Sequence, residues 1–320
     1  MKTKRRPWWR ILLVSILLLI LGLVALGWES DRPVSSLTER WAPPPSTFVE
    51  LQGLQVHLRD QGNTDDPLPL VLIHGTSASL HTWQGWVGEL AAERRLISAD
   101  LPGFGLTGPD PNRDYSIERY VRFIDALLDH LQVEQAVLVG NSLGGWIAWE
   151  YALAHPQRAH SLILVDAAGY GSMPKQIPIG FQLARNEWMR PLLEKLLPRF
   201  LVRDSVRQVY GDPERVTDDL VDRYFELSLR LGNRRALFDR FAQGLGSPDN
   251  GERIARIAQP TLIIWGELDR LIPLSDGKRF AADLPQAELV VLEGLGHVPH
   301  EEDALASVNA SRNFLDRHAQ

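Results

Sequence analysis

The chain has 320 residues, 44% of them hydrophobic and 23% charged, with a formal net charge of −6. That length fits one large domain or two modest ones around a sizeable core, and the charged fraction excludes wholesale disorder. There is no cysteine, which excludes a disulfide scaffold, thiolate catalysis and Cys-ligated zinc or iron–sulfur sites.

The charge is unevenly placed. Residues 1–28 contain Lys2, Lys4, Arg5, Arg6 and Arg10 and no acidic residue, leaving 29 basic against 40 acidic residues in the remainder. Phosphate contacts need clustered Lys and Arg, so no nucleic-acid partner is expected of so acidic a body. Residues 11–28 (ILLVSILLLILGLVALGW) are 18 residues without a charge. As a helix they span about 27 Å, close to the roughly 30 Å of a bilayer's hydrocarbon core. Trp8, Trp9 and Trp28 bracket the run where interfacial rings prefer to sit. The spacing predicts a basic tip and transmembrane anchor over 1–28. The positive-inside rule then puts the N-terminus in the cytoplasm and the body on the outer, periplasmic or extracellular, side. The alternative is a signal peptide cut near Ala25-Leu26-Gly27, with the body secreted, although the apolar run exceeds the roughly 7–15 residues usual there. Residues 29–46 read as a tether stiffened by Pro43-Pro44-Pro45.

Beyond the tether, residues 47–60 (TFVELQGLQVHLRD) alternate like a hairpin with Gly53 in its turn. Short, mainly apolar runs follow at 70–73 (LVLI), 95–99 (RLISA), 136–139 (AVLV), 161–165 (SLILV), 261–265 (TLIIW) and 287–292 (AELVVL), of which 70–73 is wholly apolar as a buried parallel strand requires. Between them, 116–131 and 143–154 carry helical patterns. Alternating strands and helices predict an α/β fold, a mostly parallel sheet with helices on both faces. Residues 170–250 contain no strand-like run but several amphipathic stretches, such as 218–231. They are expected to form a helical cap over the C-terminal edge of the sheet, where open α/β sheets bind ligands. The core is then 47–169 together with 251–320.

The chemistry centres on Gly140-Asn141-Ser142-Leu143-Gly144, a G-x-S-x-G that follows a strand and opens a helix. So sharp a turn needs small flanking residues and strains the serine, lifting its hydroxyl above the sheet. A serine hydroxyl needs a base. His297, in the Gly294-Leu295-Gly296-His297 loop after the last strand, is the choice, with His300 as rival. A carboxylate must hold the other ring nitrogen. Asp269, just after TLIIW, is chosen over Glu267 and Asp166. The order Ser, Asp, His along the chain is that of this sheet architecture. An oxyanion needs two donors: the Leu143 N–H, and one from the loop after LVLI, where Thr76 is preferred to Ser77. His74 is expected to order that loop. Residues 103–108 match G-x-G-x-x-G, but Pro109-Asp110-Pro111 follows where a nucleotide site needs a helix, so none is expected.

These motifs, with LVLIHGTSASLHTW, ADLPGFGLT, VGNSLGGW, LVDAAGYG, IIWGELDRLIP and GLGHVPHEE across about residues 70–302, resemble the α/β-hydrolase-fold serine hydrolases with a helical cap. The chain is similar to cold-adapted bacterial lipases, to membrane-anchored monoacylglycerol lipases and to the meta-cleavage product hydrolases. The resemblance implies Ser142 as nucleophile, Asp269 and His297 as its relay, and Leu143 and Thr76 as oxyanion donors, with no metal or organic cofactor. It implies a carboxylic-ester hydrolase acting on small-molecule esters; the N-terminal helix adds the membrane as partner and, by location, lipid esters as substrates. The alternatives are C–C bond hydrolysis of the meta-cleavage type, or a catalytically silent binding protein on the same fold. The loop after His74-Gly75 reads TSASL, where the C–C hydrolases usually carry Gly-Pro-Gly. The sequence leaves oligomeric state open.

Overall fold

A computed structural model of the chain describes residues 8–172, 174–184, 186–244 and 250–318. Its centre is an eight-stranded sheet of order β1-β2-β4-β3-β5-β6-β7-β8. The strands are β1 (Thr47–Leu51), β2 (Leu54–Gly62), β3 (Leu70–Ile73), β4 (Arg95–Ala99), β5 (Ala136–Asn141), β6 (Ala159–Val165), β7 (Thr261–Gly266) and β8 (Ala287–Leu292). β1 and β2 form the expected hairpin and join β4 antiparallel; the other neighbours run parallel.

The apolar runs become central strands because both of their faces are covered. Val71, Ile73 and Leu138 pack into one hydrophobic cluster, while Leu70, Leu72, Val137 and Val139 pack into another on the opposite face. Side chains alternate across a strand, so a run apolar at every position has somewhere to bury each one. The helix Ile117–His130 covers the first face; its N-cap Ser116 accepts a hydrogen bond from the Arg119 N–H. Leu143–Ala154 lies beside it, and Ala304–His318 supplies Val308, Phe314 and Leu315 to the other face.

Between β6 and β7 the described residues contain helices and no strand. The amphipathic stretch 218–231 is a helix over Asp218–Ser228, started by the Thr217 side chain accepting from the Leu220 N–H at 3.2 Å. Gly232, at φ +90°, then turns the chain into Asn233–Ala242.

The N-terminal run forms a 20-residue helix, Trp8–Gly27, with Ile11–Val14 and Ile16–Leu18 exposed. Among the described residues no helix is long and apolar enough to be counted as crossing a membrane, so the predicted transmembrane span gains no support from the fold. The stretch 29–46, expected as a tether, is instead laid along the cap. Glu29 N–H donates to the Lys195 carbonyl at 2.9 Å and Arg32 N–H to the Leu229 carbonyl at 2.7 Å. Arg234 holds Asp31 at 2.6 Å, and Leu37 is buried against Leu106 and Leu227. One buried leucine and these pairings dock a stretch that its prolines alone would leave standing off.

Candidate active site

The first parallel strands end in loops at one edge of the sheet, and the site is built there. β5 ends at Asn141. Ser142 adopts φ 56° and ψ −114° and caps the helix Leu143–Ala154. The conformation is sterically poor for a residue with a Cβ and holds because of its surroundings. Ser142 N–H donates to the Val165 carbonyl at 3.1 Å, and its own carbonyl accepts from the Trp146 and Ala168 N–H groups. A methyl at position 140 would strike the Gly144 carbonyl, and one at 144 the Ile73 carbonyl, so both glycines of the motif are required by close backbone approach.

His297 sits in the loop after β8, 4% exposed, with Nδ1 at 2.7 Å from Asp269 Oδ2. Asp269 Oδ1 accepts from the Leu271 and Ile272 N–H groups at 2.7 and 2.9 Å. The carboxylate is thus clamped by its own loop and turned to the imidazole, so Nδ1 carries the hydrogen and Nε2 is left as the basic nitrogen. Ser142 and His297 line the same cavity. The serine hydroxyl makes no hydrogen bond to another side chain, and rotation about its Cα–Cβ bond sets how it meets the imidazole.

His297 is fastened from three sides. Its N–H donates to the Val209 carbonyl of the cap at 2.7 Å, and its carbonyl accepts from Asn141 Nδ2 at 3.0 Å. The Gly296 N–H donates to Glu302 Oε2 at 2.9 Å, and Glu302 also accepts from Gly211 and Asp212 of the cap. Sequence reasoning gave Asn141 and Glu302 no role. Asn141 was visible inside the motif; Glu302 carried no signal at all.

The rival residues fall elsewhere or differ in role. His300 is fully buried, with Nε2 3.0 Å from Thr82 Oγ1 and its ring 4.2 Å from that of Trp83; burial pushes its pKa well down. It does not line the cavity. Glu267 accepts from the Gly294 N–H, bracing the loop. Asp166, just after β6, lies in the site itself: the ligand-type atoms of Asp166, Asp269 and His297 stand within 4.8 Å of one another. Burial, then the neighbouring Asp269 charge, pushes the Asp166 carboxyl well above the usual carboxylate range.

The loop after β3 closes the other side. A Cβ on Gly75 would come within 3.2 Å of Ser142 Cβ, so this backbone runs directly over Ser142. Thr76 and Ser77 both line the cavity, and Ser77 has φ +62°. His74 orders the loop. Its Nε2 accepts from the Leu101 N–H at 2.9 Å, so Nδ1 carries the hydrogen and donates to the Gly75 carbonyl at 2.7 Å. The 103–108 stretch is a buried turn that opens no helix.

Above the serine the cavity encloses about 930 Å³. The cap supplies Phe181, Phe200, Tyr224, Phe238 and Phe241 to its walls, and Val24, Gly27 and Glu29 of the N-terminal segment border it. Such a space accepts a large, mainly apolar molecule.

A family model described as alpha/beta hydrolase fold matches residues 69–304. The chain belongs to the alpha/beta hydrolase fold family. Among the relatives of this alpha/beta hydrolase is the 2-hydroxy-6-oxononadienedioate/2-hydroxy-6-oxononatrienedioate hydrolase of Cupriavidus pinatubonensis, 30% identical over 82% of this chain and 90% of that one. A thermophilic esterase from Thermogutta terrifontis is 25% identical, with a TM-score of 0.70 over 86% of this chain and 98% of that one. A bacterial membrane phospholipase A shares the fold at 24% identity, with a TM-score of 0.72 over 96% of this chain and 98% of that one.

Proposed function

We propose that this hydrolase cleaves carboxylic esters through an acyl-enzyme on Ser142. The observation that carries the reading is one apolar cavity lined by Ser142 and by a His297 whose Nδ1 is already taken by Asp269. His297 Nε2 takes the hydroxyl proton as Ser142 Oγ attacks the ester carbonyl. The oxyanion forms against the N–H groups of Leu143 and Thr76. The imidazolium then protonates the leaving alcohol, and a water molecule repeats the sequence on the acyl-enzyme. No step calls on a metal or organic cofactor.

The walls contributed by the cap favour long or bulky acyl groups. Because Val24, Gly27 and Glu29 border the same cavity, an apolar substrate dissolved in a membrane fits this reading, with Trp8–Gly27 as the anchor and the body on the outer side. Exposed apolar residues along that helix support the anchor, since soluble surfaces rarely carry such a patch. Extraction of the full chain from membranes only by detergent, not by alkaline carbonate, is the expected result. A mature N-terminus beginning near residue 28 defeats the anchor in favour of secretion.

A second reading, C–C bond hydrolysis, is favoured by the dienedioate hydrolase relative. An acyl-chain series of p-nitrophenyl esters, run beside a ring-fission dienoate, separates the two. Ester turnover that rises with chain length supports the first. Turnover confined to the dienoate overturns it, and turnover of neither, without labelling of Ser142, leaves a binding protein.

A further inference from the structure

Asp166 is fully buried at the end of β6, in a left-handed conformation of φ 44°. Its Oδ1 accepts from the Gly266 N–H at 3.0 Å. Its Oδ2 is shut from solvent, and no donor group reaches it. The charged and titratable groups around it are Asp269 from the loop after β7, His297 from the loop after β8, and Glu302 from the Pro299–Glu302 turn of helix. Asp276 faces Asp269 from the helix Leu274–Asp283. Glu302 already accepts from three backbone N–H groups. Among the described residues no lysine or arginine pairs with Asp166 or Asp269.

Two dry carboxylates this close and without a cation do not both ionise. Asp269 already accepts from three donors: Leu271 N–H, Ile272 N–H and His297 Nδ1–H. The proton therefore belongs to Asp166, which has a buried oxygen without a donor and stands within 4.8 Å of the pair. We propose that Asp166 is a positioning residue of the relay, a neutral acid that donates its O–H to the Asp269 carboxylate and fixes the direction in which Asp269 meets His297. This gives Asp269 a fourth donor and accounts for the unpartnered Oδ2. It adds no second negative charge beside the imidazole.

The inference rests on the serine-relay reading above, and its test needs no knowledge of the substrate. The rate of fluorophosphonate labelling of Ser142 is followed against pH in the full chain, in Asp166→Asn and in Asp166→Ala. The asparagine keeps a donor toward Asp269 and an acceptor for Gly266. It is expected to label at close to the unsubstituted rate, with the midpoint of the acid limb unmoved. The alanine loses the donor and is expected to label about tenfold more slowly or worse, with its far-UV spectrum intact. A fall of about one unit in the Asp166→Asn midpoint shows that an ionised carboxylate was removed, and overturns the proposal. Full-rate labelling of folded Asp166→Ala overturns it too. If the alanine variant does not fold, the asparagine midpoint decides alone. Failure of the unsubstituted chain to label at Ser142 sinks the functional reading instead, a result distinct from either.

Discussion

Replacing Asp269 by asparagine tests the relay through its geometry. Asp269 Oδ1 accepts from the Leu271 and Ile272 N–H groups, and Oδ2 from His297 Nδ1. An asparagine has one acceptor oxygen. Kept on the two backbone donors, it turns its NH2 toward His297 Nδ1, which must then accept. The ring proton moves to Nε2, the nitrogen that has to receive the Ser142 proton. Turning the amide round instead sets its NH2 against two N–H groups in a dry loop, about 1–3 kcal/mol worse for each unsatisfied donor. The first arrangement wins, and the variant folds with the wrong tautomer. A tautomer error of this kind lowers turnover by about ten-thousand-fold, roughly 5.4 kcal/mol of barrier. The assay is kcat/KM on a p-nitrophenyl ester across pH 6–9, with thermal unfolding as the control for structure. A folded Asp269→Asn retaining more than about a tenth of the activity refutes the assignment of Asp269 as the orienting group.

Other outcomes follow from the same geometry. Gly144→Ala drives a methyl into the Ile73 carbonyl and toward that of His74. Backbone rather than a side chain must give way, so a loss of about 2–3 kcal/mol or more is expected by urea unfolding; an unchanged midpoint contradicts the close approach. Ser142 pays for a φ of 56° with strain of about 1–3 kcal/mol. Ser142→Gly, less the roughly 0.5–1 kcal/mol cost of glycine, should therefore be more stable than Ser142→Ala by about 1 kcal/mol, and equal stability refutes the strain. Burial lowers the pKa of His74, of His81 (to about 3) and of His300. These imidazoles stay neutral when folded but bind protons in the unfolded chain below about pH 6.5. Unfolding then takes up protons, and stability falls as pH drops through 6.5. The proton that folded Asp166 holds acts in the opposite sense. Several imidazoles held down outweigh one carboxyl held up, so stability falls as pH drops from about 6.5 toward 5. Urea titrations from pH 7.5 to 5 that show flat stability would falsify this balance.

The sheet was largely legible because each central strand must bury both faces, and a short run apolar at every position suits little else than a strand covered on both sides. β3 and β4 run over the same residues as their stretches and β6 starts two residues earlier than its stretch, while β8, a half-buried edge strand, keeps its bounds without burying both faces. The elbow was legible for a related reason: Gly140 and Gly144 are fixed by backbone collisions that no other residue type avoids. What escaped depends on partners far away in the chain. Arg234 pairs with Asp31 and Leu37 packs on Leu227, and neither pairing leaves a periodic trace in 29–46. Glu302 accepts from backbone donors at 211, 212 and 296; locally it is one acid in an acidic turn. Asp166 could be named as an alternative to Asp269 because both end parallel strands. That both crowd one imidazole is a matter of how the strand ends splay, which the sequence does not carry.

The most direct measurement is mass-spectrometric mapping of fluorophosphonate on the full chain. A working serine relay gives a single adduct on the peptide containing Ser142, formed faster as pH rises through the titration of an imidazole and absent in Ser142→Ala. An adduct that persists in Ser142→Ala, or a folded chain that takes up no probe at any pH, contradicts it.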